Sequence, residues 1–530
     1  MTRYSLTLVI SATLMLVLGG CVSGPDYVRP DTPVPDDWDT PLEDGATAEP
    51  VSVVQWWHTL NDPVLVEIIA RAQAGNLDLK LAEARVREAR AARGIVAADL
   101  LPQVGLAGSY RVEQSPEQKF GGTGLPVSLG ASAGPAGVST NITYRGRNVT
   151  VSGSNSAAGP GASISLSPDG GDTTPDRIQD YFSAGFDAAW ELDIFGGIAR
   201  AVEAADASIE AENERLRNVY ISLAAEVALN YIDYRTAQAR LDIAQRNIES
   251  QAESARLTRV RYDAGLSSEF DAVRAEAQLA TFKSQVPLFQ TQRETALHRL
   301  GVLSGETPGA LGDLLAEPAP LPTAPEEVPV GLPSALLQRR PDIRAAERDL
   351  AAATARIGAA IAEQFPKFAL TGGLGTRTLG LTSGLLDSAN QVWSLGPGIR
   401  LPIFQGGRIR ANIDIQNARQ EQALNNYEQT ILLALEDVEN GLVSFIREQD
   451  RRAFLSEALE ANQRSVRLAN ERYNQGLEDF LSVLTVQAQV YDSEDRLLQS
   501  DAMILLDLIS LYKALGGGWE PVASAQQTLP

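Results

Sequence analysis

Apolar residues recur at every seventh position along two very long stretches of the chain. One repeat runs from Tyr220 to Tyr262, and the other from Leu424 to Tyr473 with Arg452 as its one polar interruption. The positions are Tyr220, Val227, Tyr234, Leu241, Ile248, Ala255 and Tyr262, then Leu424, Ile431, Val438, Phe445, Arg452, Leu459, Val466 and Tyr473. A sustained seven-residue repeat predicts a supercoiled helix that packs along its whole length. About 65 residues at about 1.5 Å each make a rod of about 100 Å, too long for a compact domain.

Four shorter segments alternate between apolar and polar residues with a period of two. Three of them alternate clearly, and the third in chain order, Lys367 to Thr378, alternates more weakly. The apolar positions are Val104, Leu106, Tyr110 and Val112, then Phe182, Ala184, Phe186, Ala188, Trp190 and Leu192, and finally Trp393, Leu395, Ile399 and Leu401. About ten residues with one apolar face fit a transmembrane β-strand. They fit a half-buried strand of a soluble sheet equally well.

If these strands lie in a membrane, one chain is not enough. A barrel needs at least about eight strands, and an open edge in lipid leaves backbone groups unpaired. The chain is therefore expected to assemble with copies of itself, and three copies would supply twelve strands.

The chain also repeats itself. Four residues have identical partners 264 positions later, and the tip motif of the first long helix recurs 211 positions later. These are Asp78, Glu83, Gly94 and Pro102 with Asp342, Glu347, Gly358 and Pro366, and Arg261, Tyr262, Gly265 and Leu266 with Arg472, Tyr473, Gly476 and Leu477. The smaller offset places an insertion in the first half, and residues 114–178, rich in Gly, Ser and Pro, are the candidate. Within it, Asn141 to Val151 predicts a hairpin around Arg145, Gly146 and Arg147.

Each half predicts the same order of elements. A helix comes first, from Leu77 to about Leu100 or from Asp342. An extended segment, a loop, a second extended segment, a glycine corner and the long helix follow. A Gly-Leu turn then leads into a return helix, which begins near Ser268 in the first half and near Asp479 in the second. The last helix ends at Gly516, a glycine stop.

The first twenty residues resemble a secretory signal peptide. Arg3 is their only charge, and the apolar run from Leu6 to Leu18 is too short to span a bilayer as a helix. The run ends in a pattern that resembles a bacterial lipobox and places Cys21 as the lipidated first residue of the mature chain. Cys21 is the only cysteine, so a disulfide within the chain is impossible. Val22 follows it and favours the outer membrane, and the signal favours a membrane barrel over a soluble sheet.

Composition narrows the function further. The net charge of −22 argues against a nucleic-acid partner, whose phosphates need Lys and Arg. The two histidines, His58 and His298, stand far apart and outside any ligand-spaced cluster, so no metal site, no cofactor beyond the lipid on Cys21 and no enzyme activity are predicted.

Short motifs in a fixed order resemble the TolC-like outer-membrane efflux factors, in particular the lipoprotein branch that contains OprM and NodT. The resemblance covers nearly the whole mature chain, and the order and duplication of the motifs make it specific. The motifs are Cys21 with Gly24, Pro25, Asp26, Tyr27 and Pro30; Trp56 and Trp57 with Asp62, Pro63 and Leu65; Arg261, Tyr262 and Gly265; Leu401, Pro402, Ile403 and Phe404 with Gly406, Gly407 and Arg408; Arg472, Tyr473 and Gly476; and Ala514, Leu515, Gly516, Gly517, Gly518 and Trp519.

This resemblance implies a mixed α and transmembrane β fold. A homotrimer would form a twelve-stranded outer-membrane β-barrel, continued through the periplasm by a twelve-helix α-barrel, with an internal two-fold repeat. The segments would be the signal peptide (1–20), a lipid-anchored equatorial segment (21–60), the first repeat (61–303), a Pro-rich equatorial linker (304–333), the second repeat (334–515) and a tail (516–530). The first outer loop is longer than the family pattern, and we expect it to cap or narrow the outer mouth, or to face the environment.

The implied function is a passive duct for small molecules such as drugs. It would work with a periplasmic adaptor and an inner-membrane pump, expected to be of the RND type. Two alternatives stay open, a TolC-type duct for protein secretion and a non-channel coiled-coil lipoprotein in the same membrane.

The helix tips are the candidate sites. Turn chemistry alone explains the tip motif, because glycine ends a helix, and the resemblance adds adaptor contact. The residues concerned are Arg261, Tyr262, Gly265, Leu266, Arg472, Tyr473, Gly476 and Leu477. Three acids beside them, Glu478, Asp479 and Asp263, are candidates for a gate or a cation-selective ring, or are solvated helix starts.

Overall fold

A computed structural model describes most of the mature chain. The described residues are 22–42, 45–47, 55–114, 127–134, 137–144, 147–156, 159–167, 178–325, 327–379 and 387–519. The signal peptide, the lipidation candidate Cys21, the turn residues Arg145 and Gly146, and residues 520–530 of the tail lie outside them.

Helices make up most of the described chain. They are α1 Pro63–Gly75, α2 Leu77–Ala98, α3 Gly197–Asp263, α4 Glu269–Leu303, α5 Gly312–Leu315, α6 Pro333–Arg339, α7 Pro341–Ala362, α8 Arg408–Asn474 and α9 Phe480–Ala514. The predicted starts at Leu77, Ser268, Asp342 and Asp479 are each met within one residue. Helix α1, which directly precedes α2, was not predicted. None of the helices in the described ranges has an apolar stretch of the length that crossing a membrane requires.

The two halves contain helices of equal length in the same order. Helices α2 and α7 have 22 residues, α3 and α8 have 67, and α4 and α9 have 35. Each return helix begins with a side-chain cap. Ser268 forms a reciprocal capping box with Asp271, and Asp479 accepts a hydrogen bond from the backbone N–H of Ser482.

By its contacts the chain divides into two compact units. The first contains the described residues within 22–24, 94–202 and 358–412, and the second those within 25–93, 203–357 and 413–519.

The first unit is built on a four-stranded antiparallel sheet. Its strands are β2 Gln103–Gln114, β7 Ile178–Leu192, β9 Lys367–Leu379 and β10 Gln391–Arg400, in the spatial order β10-β9-β7-β2. These are the four predicted strands, and β7 begins four residues earlier than its alternation indicated. Apolar side chains such as Leu106 and Trp393 are exposed at 72% and 77%, so one face of the sheet has no cover within the chain. Strands β2 and β10 form the two edges.

The insertion forms a sheet of its own. Its strands are β3 Val127–Gly134, β4 Gly137–Tyr144, β5 Arg147–Ser156 and β6 Gly159–Ser167, paired antiparallel in chain order. The predicted hairpin is confirmed, because Tyr144 lies opposite Arg147. The expectation of a loop with one hairpin was incomplete, since β3 and β6 flank it. Their Gly- and Ser-rich composition hides them, as both residue types are weak strand formers.

The second unit holds the main hydrophobic core, where the N-terminal segment meets the ends of the helices. Trp56 is 2% exposed and stacks on Tyr512 of α9 with ring centres 5.4 Å apart. The short strands β1 Ala46–Thr47 and β8 Val328–Pro329 pair in parallel, so the N-terminal segment and the Pro-rich linker lie together. The indole N–H of Trp38 adds a 2.8 Å hydrogen bond to the carbonyl of Gly331.

Candidate functional site

The tips of the two helical hairpins share one backbone geometry. Gly265 and Gly476 adopt φ values of 72° and 71°, which glycine accommodates without a Cβ clash. In the first tip the N–H of Gly265 bonds to Tyr262 at 2.8 Å, and the N–H of Leu266 bonds to Arg261 at 2.8 Å. The second tip repeats both bonds at 2.9 Å. This Schellman motif closes each long helix and leaves Leu266 and Leu477 exposed at 70% and 63%.

The tip arginines have partners within the chain. The guanidinium of Arg261 lies 5.1 Å from the ring centre of Tyr473, so the tip of the first hairpin contacts the tip of the second. Arg472 donates to Glu478 at 3.3 Å. Tyr262 lies below Arg259 at 5.7 Å. Each of the two contacts is exposed, and an exposed cation–π contact is worth about 0.5–1 kcal/mol.

The three candidate acids also have partners. Glu478 accepts from Arg472 and, at 2.7 Å, from the Ser482 hydroxyl. Asp479 caps the start of α9 at 2.9 Å, and Asp263 lies 3.8 Å from Arg259. Asp479 therefore has a structural role whatever else it does. The tips remain acidic, with three arginines (259, 261, 472) against six carboxylates (263, 269, 271, 471, 478, 479).

A stronger tie between the hairpins lies further along the helices. Arg240 of α3 donates to both carboxylate oxygens of Asp495 of α9, at 2.7 and 2.9 Å. Their side chains are only 19% and 15% exposed, and the guanidinium also stacks 4.2 Å from the ring centre of Phe289. Sequence reasoning missed this pair because the partners are 255 residues apart and nothing local marks either one.

In the first unit, the start of the described chain is fastened where β7 turns into α3. Ser23 donates its N–H and its hydroxyl to the carbonyl of Phe195, at 3.1 and 2.8 Å. The buried Arg200 donates to the carbonyl of Ser23 at 3.1 Å. Gly24 passes so close to Gly358 that a Cβ on either residue would clash with backbone. Cys21, two residues before Ser23, is therefore tethered to this turn by the chain itself.

Shifted pKa values occur in the second unit, where burial causes them. Burial, and then Glu347, raises the pKa of Tyr27 to about 12. Burial, and then the 2.6 Å hydrogen bond to Asp62, raises the pKa of Tyr231. Burial, and then Glu448, raises the pKa of Asp507 on α9 to about 6. Two of these groups are tyrosines held protonated in hydrogen bonds, which is structural chemistry.

Metal-binding groups are not gathered anywhere in the described ranges, where three or more His, Cys, Asp or Glu side chains nowhere converge as ligands. His58 lies in the short 3-10 helix Trp56–Leu60, and His298 lies in α4.

Comparison with known proteins gives one consistent result. The model of the outer membrane efflux protein family matches residues 68–306 and 332–517. Nodulation protein T of Rhizobium leguminosarum bv. trifolii is 30% identical over 519 residues, covering 96% of this chain and 97% of that protein. The toluene efflux pump outer membrane protein TtgI of Pseudomonas putida is 31% identical over 511 residues, covering 95% and 97%. Among solved structures, the outer-membrane channel OprN is 34% identical with a TM-score of 0.77, covering 94% of this chain and all of that one.

Proposed function

The chain belongs to the outer membrane efflux protein family, and we propose that it forms a passive duct through which small molecules leave the cell. Outer-membrane location and efflux-channel function follow from the family and from relatives over nearly the full length. The observation that carries the proposal is the exposed four-stranded sheet joined to helices of 67 residues, an arrangement for spanning a membrane and extending beyond it.

A homotrimer is the assembly that this sheet favours. Four strands leave two unpaired edges, and unpaired backbone groups in lipid cost several kcal/mol each. The equal helix lengths in the two halves support an internal repeat, so three chains would present twelve nearly equivalent strands and twelve helical positions. Closure then requires β10 of one copy to pair with β2 of the next.

The repeat predicts the register of that junction. Phe195 and Phe404 end corresponding strands, and Pro366 and Pro102 precede corresponding strands. Applying this correspondence to the observed pairing of β7 with β9 places β10 against the next copy's β2. The observed pairs Ala184–Thr376, Phe186–Leu374 and Trp190–Leu370 become Trp393–Val112, Leu395–Tyr110 and Ile399–Leu106. Each pair joins two exposed apolar residues of the lipid-facing set, an agreement the derivation did not use.

The glycine corners support the same junction. Phe195 stacks on Phe365 with ring centres 4.6 Å apart, whereas the corresponding Phe404 is 88% exposed. The counterpart of Phe365 is Leu101, itself 64% exposed. We place Phe404 of one copy against Leu101 of the next, which would cover both residues.

Paired cysteines test the junction. The observed pair Gly185–Gly375 corresponds to Ser394 and Arg111 of neighbouring copies. Directly opposed residues have Cα atoms about 4.5–5.5 Å apart, within the range of a disulfide. Oxidation of the Ser394→Cys, Arg111→Cys variant should give covalent dimers and trimers in SDS, and Ser394→Cys with Ser109→Cys is the control shifted by two residues. Equal crosslinking of the control would contradict the register, and no intermolecular crosslink in either would contradict the closed trimer.

The N-terminal anchor fits this orientation. Cys21 is the proposed acylation site, and residues 22–24 are bound at the turn from β7 into α3, at the end of the sheet nearest the helices. Acyl chains on Cys21 would then enter the periplasmic leaflet of the outer membrane beside the barrel. The N-terminal segment, the Pro-rich linker and the end of α9 meet in one core, which supports a proposed equatorial band.

The hairpin tips are the proposed contact with the adaptor and, through it, with an inner-membrane pump expected to be of the RND type. Leu266 and Leu477 are exposed, and the acidic surroundings could select cations. Reversing the charge of Arg261 and Arg472 together should abolish export while trimers persist. Reversal of the exposed Arg447, remote from the tips, is the control. Unchanged export in the double variant would exclude a role for the arginines.

The function itself is tested in cells that lack their own efflux channel. Expression with a matching adaptor and pump should lower susceptibility to apolar drugs or solvents, and the purified protein should conduct ions in a planar bilayer. Export of a protein substrate with unchanged drug susceptibility would favour a secretion duct. Absence of conductance from intact trimers would favour a non-channel lipoprotein.

A further inference from the structure

The inserted sheet has two chemically different faces. Its register aligns Leu129, Ile142, Val149 and Leu166 in one row across the four strands. A row on the other face consists of Ser132, Ser139, Ser152 and Ser163. The alternation continues along the strands. One face carries Val, Leu, Ile, Ala and Tyr positions, with Thr140, Arg147 and Gly153 as exceptions, and the other carries only Ser, Thr, Asn and Gly.

Topology places this sheet at the outer end of the duct. It lies in the chain between the end of β2 and the start of β7. Helix α2 precedes β2 and α3 follows β7, so the insertion leaves the main sheet at the end opposite to the helices. Strands β2 and β7 pair directly with each other, so the insertion adds no strand between them.

The apolar face is too large to remain in water. Four strands about 4.8 Å apart and eight residues of about 3.4 Å each give a face of about 500 Å². A monomer rarely exposes a contiguous apolar patch larger than a few hundred Å². Lipid would cover it only if the sheet lay in the membrane, and the direct β2–β7 pairing keeps it out of the barrel wall.

The adjoining segments offer little to cover that face. Residues 115–126 contain only two large apolar residues, Phe120 and Leu125, and residues 168–177 contain none. The sheet itself contains one charged residue, Arg147, and its edge strands β3 and β6 contain none. Edge strands that stay apart in solution are usually protected by charge, so these edges are permissive for close approach of an identical sheet.

We infer that the inserted sheets of the three copies pack against one another through their apolar faces and form a cap over the outer mouth. The inference rests on the proposed trimeric duct, which already brings three copies of β2 and β7 to one rim. Three faces together bury about 1,500 Å², within the usual range for a specific protein interface. The Ser- and Thr-rich faces then point to water.

Cysteine chemistry on one strand tests the cap. Ile142→Cys lies on the apolar face of β4, and Asn141→Cys, its neighbour on the opposite face, is the matched control. In intact cells, Ile142→Cys should resist a water-soluble maleimide and form intermolecular products with a short bismaleimide crosslinker. Asn141→Cys should be labelled and remain uncrosslinked. A Val149→Cys variant, opposite Ile142 in the register, provides a second position if the first fails to assemble.

Two results would overturn the cap. Labelling of Ile142→Cys as fast as Asn141→Cys would mean a bare face. Protection without intermolecular products would mean that the chain's own segments or lipid cover it. The Ser394–Arg111 cysteine pair, combined with each variant, separates the two proposals, because its crosslink reports the trimer whether or not the cap forms. Replacing residues 115–177 by a short loop should retain that crosslink and raise single-channel conductance, and unchanged conductance would also contradict a cap.

Discussion

Removal of the Arg240 guanidinium should favour an open inner end of the duct. Opening a tunnel lined by two hairpins requires them to part, and Arg240–Asp495 is the most buried ion pair printed between α3 and α9, with side chains 19% and 15% exposed. Breaking a fully buried pair costs about 3–5 kcal/mol, and an exposed pair contributes about 0–1 kcal/mol. For this intermediate burial we expect about 2 kcal/mol per chain.

Three copies multiply that effect. Loss of about 6 kcal/mol in a trimer exceeds the roughly 5.5 kcal/mol that converts a 1:99 equilibrium into 99:1. Arg240→Gln should therefore turn a channel that is mostly closed in a planar bilayer into one that is mostly open. It should also admit large antibiotics that the unaltered channel keeps out. The tip contacts of Arg261 and Arg472 are more exposed, so their individual loss should have a smaller effect.

The controls separate this pair from general damage. Arg447→Gln removes an arginine of α8 that is 71% exposed and pairs with Asp450 three residues away, and it should leave conductance unchanged. The exchange Arg240→Asp with Asp495→Arg should restore much of the closed state. If Arg240→Gln trimers conduct like the unaltered protein, or if the exchange behaves like the single variant, the pair does not hold the tunnel closed.

Three further predictions concern stability and the anchor. Burial opposes ionisation of Asp507, whose pKa is raised to about 6, so the penalty is absent below about pH 4 and complete above about pH 6. Asp507→Asn should stabilise the protein by about 1 kcal/mol at pH 8 after allowance for its partial exposure, and should have no effect near pH 4 in thermal unfolding. Tyr231→Phe should cost about 1–3 kcal/mol, because it removes a hydrogen bond to Asp62 in the core, and an unchanged melting temperature would contradict this. Gly358→Ala should displace residues around Ser23 and increase proteolysis there without dissolving trimers, whereas unaltered proteolysis would show that the close approach is unimportant.

The boundaries of the elements were largely readable from the chain, because they depend on neighbours in sequence. The seven-residue repeats identified α3 and α8, and Ser268, Asp479, Gly265 and Gly476 marked helix ends through hydrogen bonds that span six residues or fewer. The period of two identified the strands of the main sheet for the same reason. It was less informative in the insertion, where Gly and Ser weakened the strand signal although the alternation was present.

The partners of the site residues were decided by tertiary structure alone. No local pattern indicates that Arg240 meets Asp495, that Arg261 lies over Tyr473, or that Glu478 is already paired with Arg472. Such contacts depend on how two hairpins, separated by some two hundred residues, lie side by side, and small changes in helix packing would exchange one partner for another. The sequence by itself therefore determined the rods, the strands and the need for further copies of the chain, because periodicity and backbone hydrogen bonding are local and additive. Only the folded structure decided which charges are neutralised within the chain, because that depends on distances of a few ångströms between distant residues.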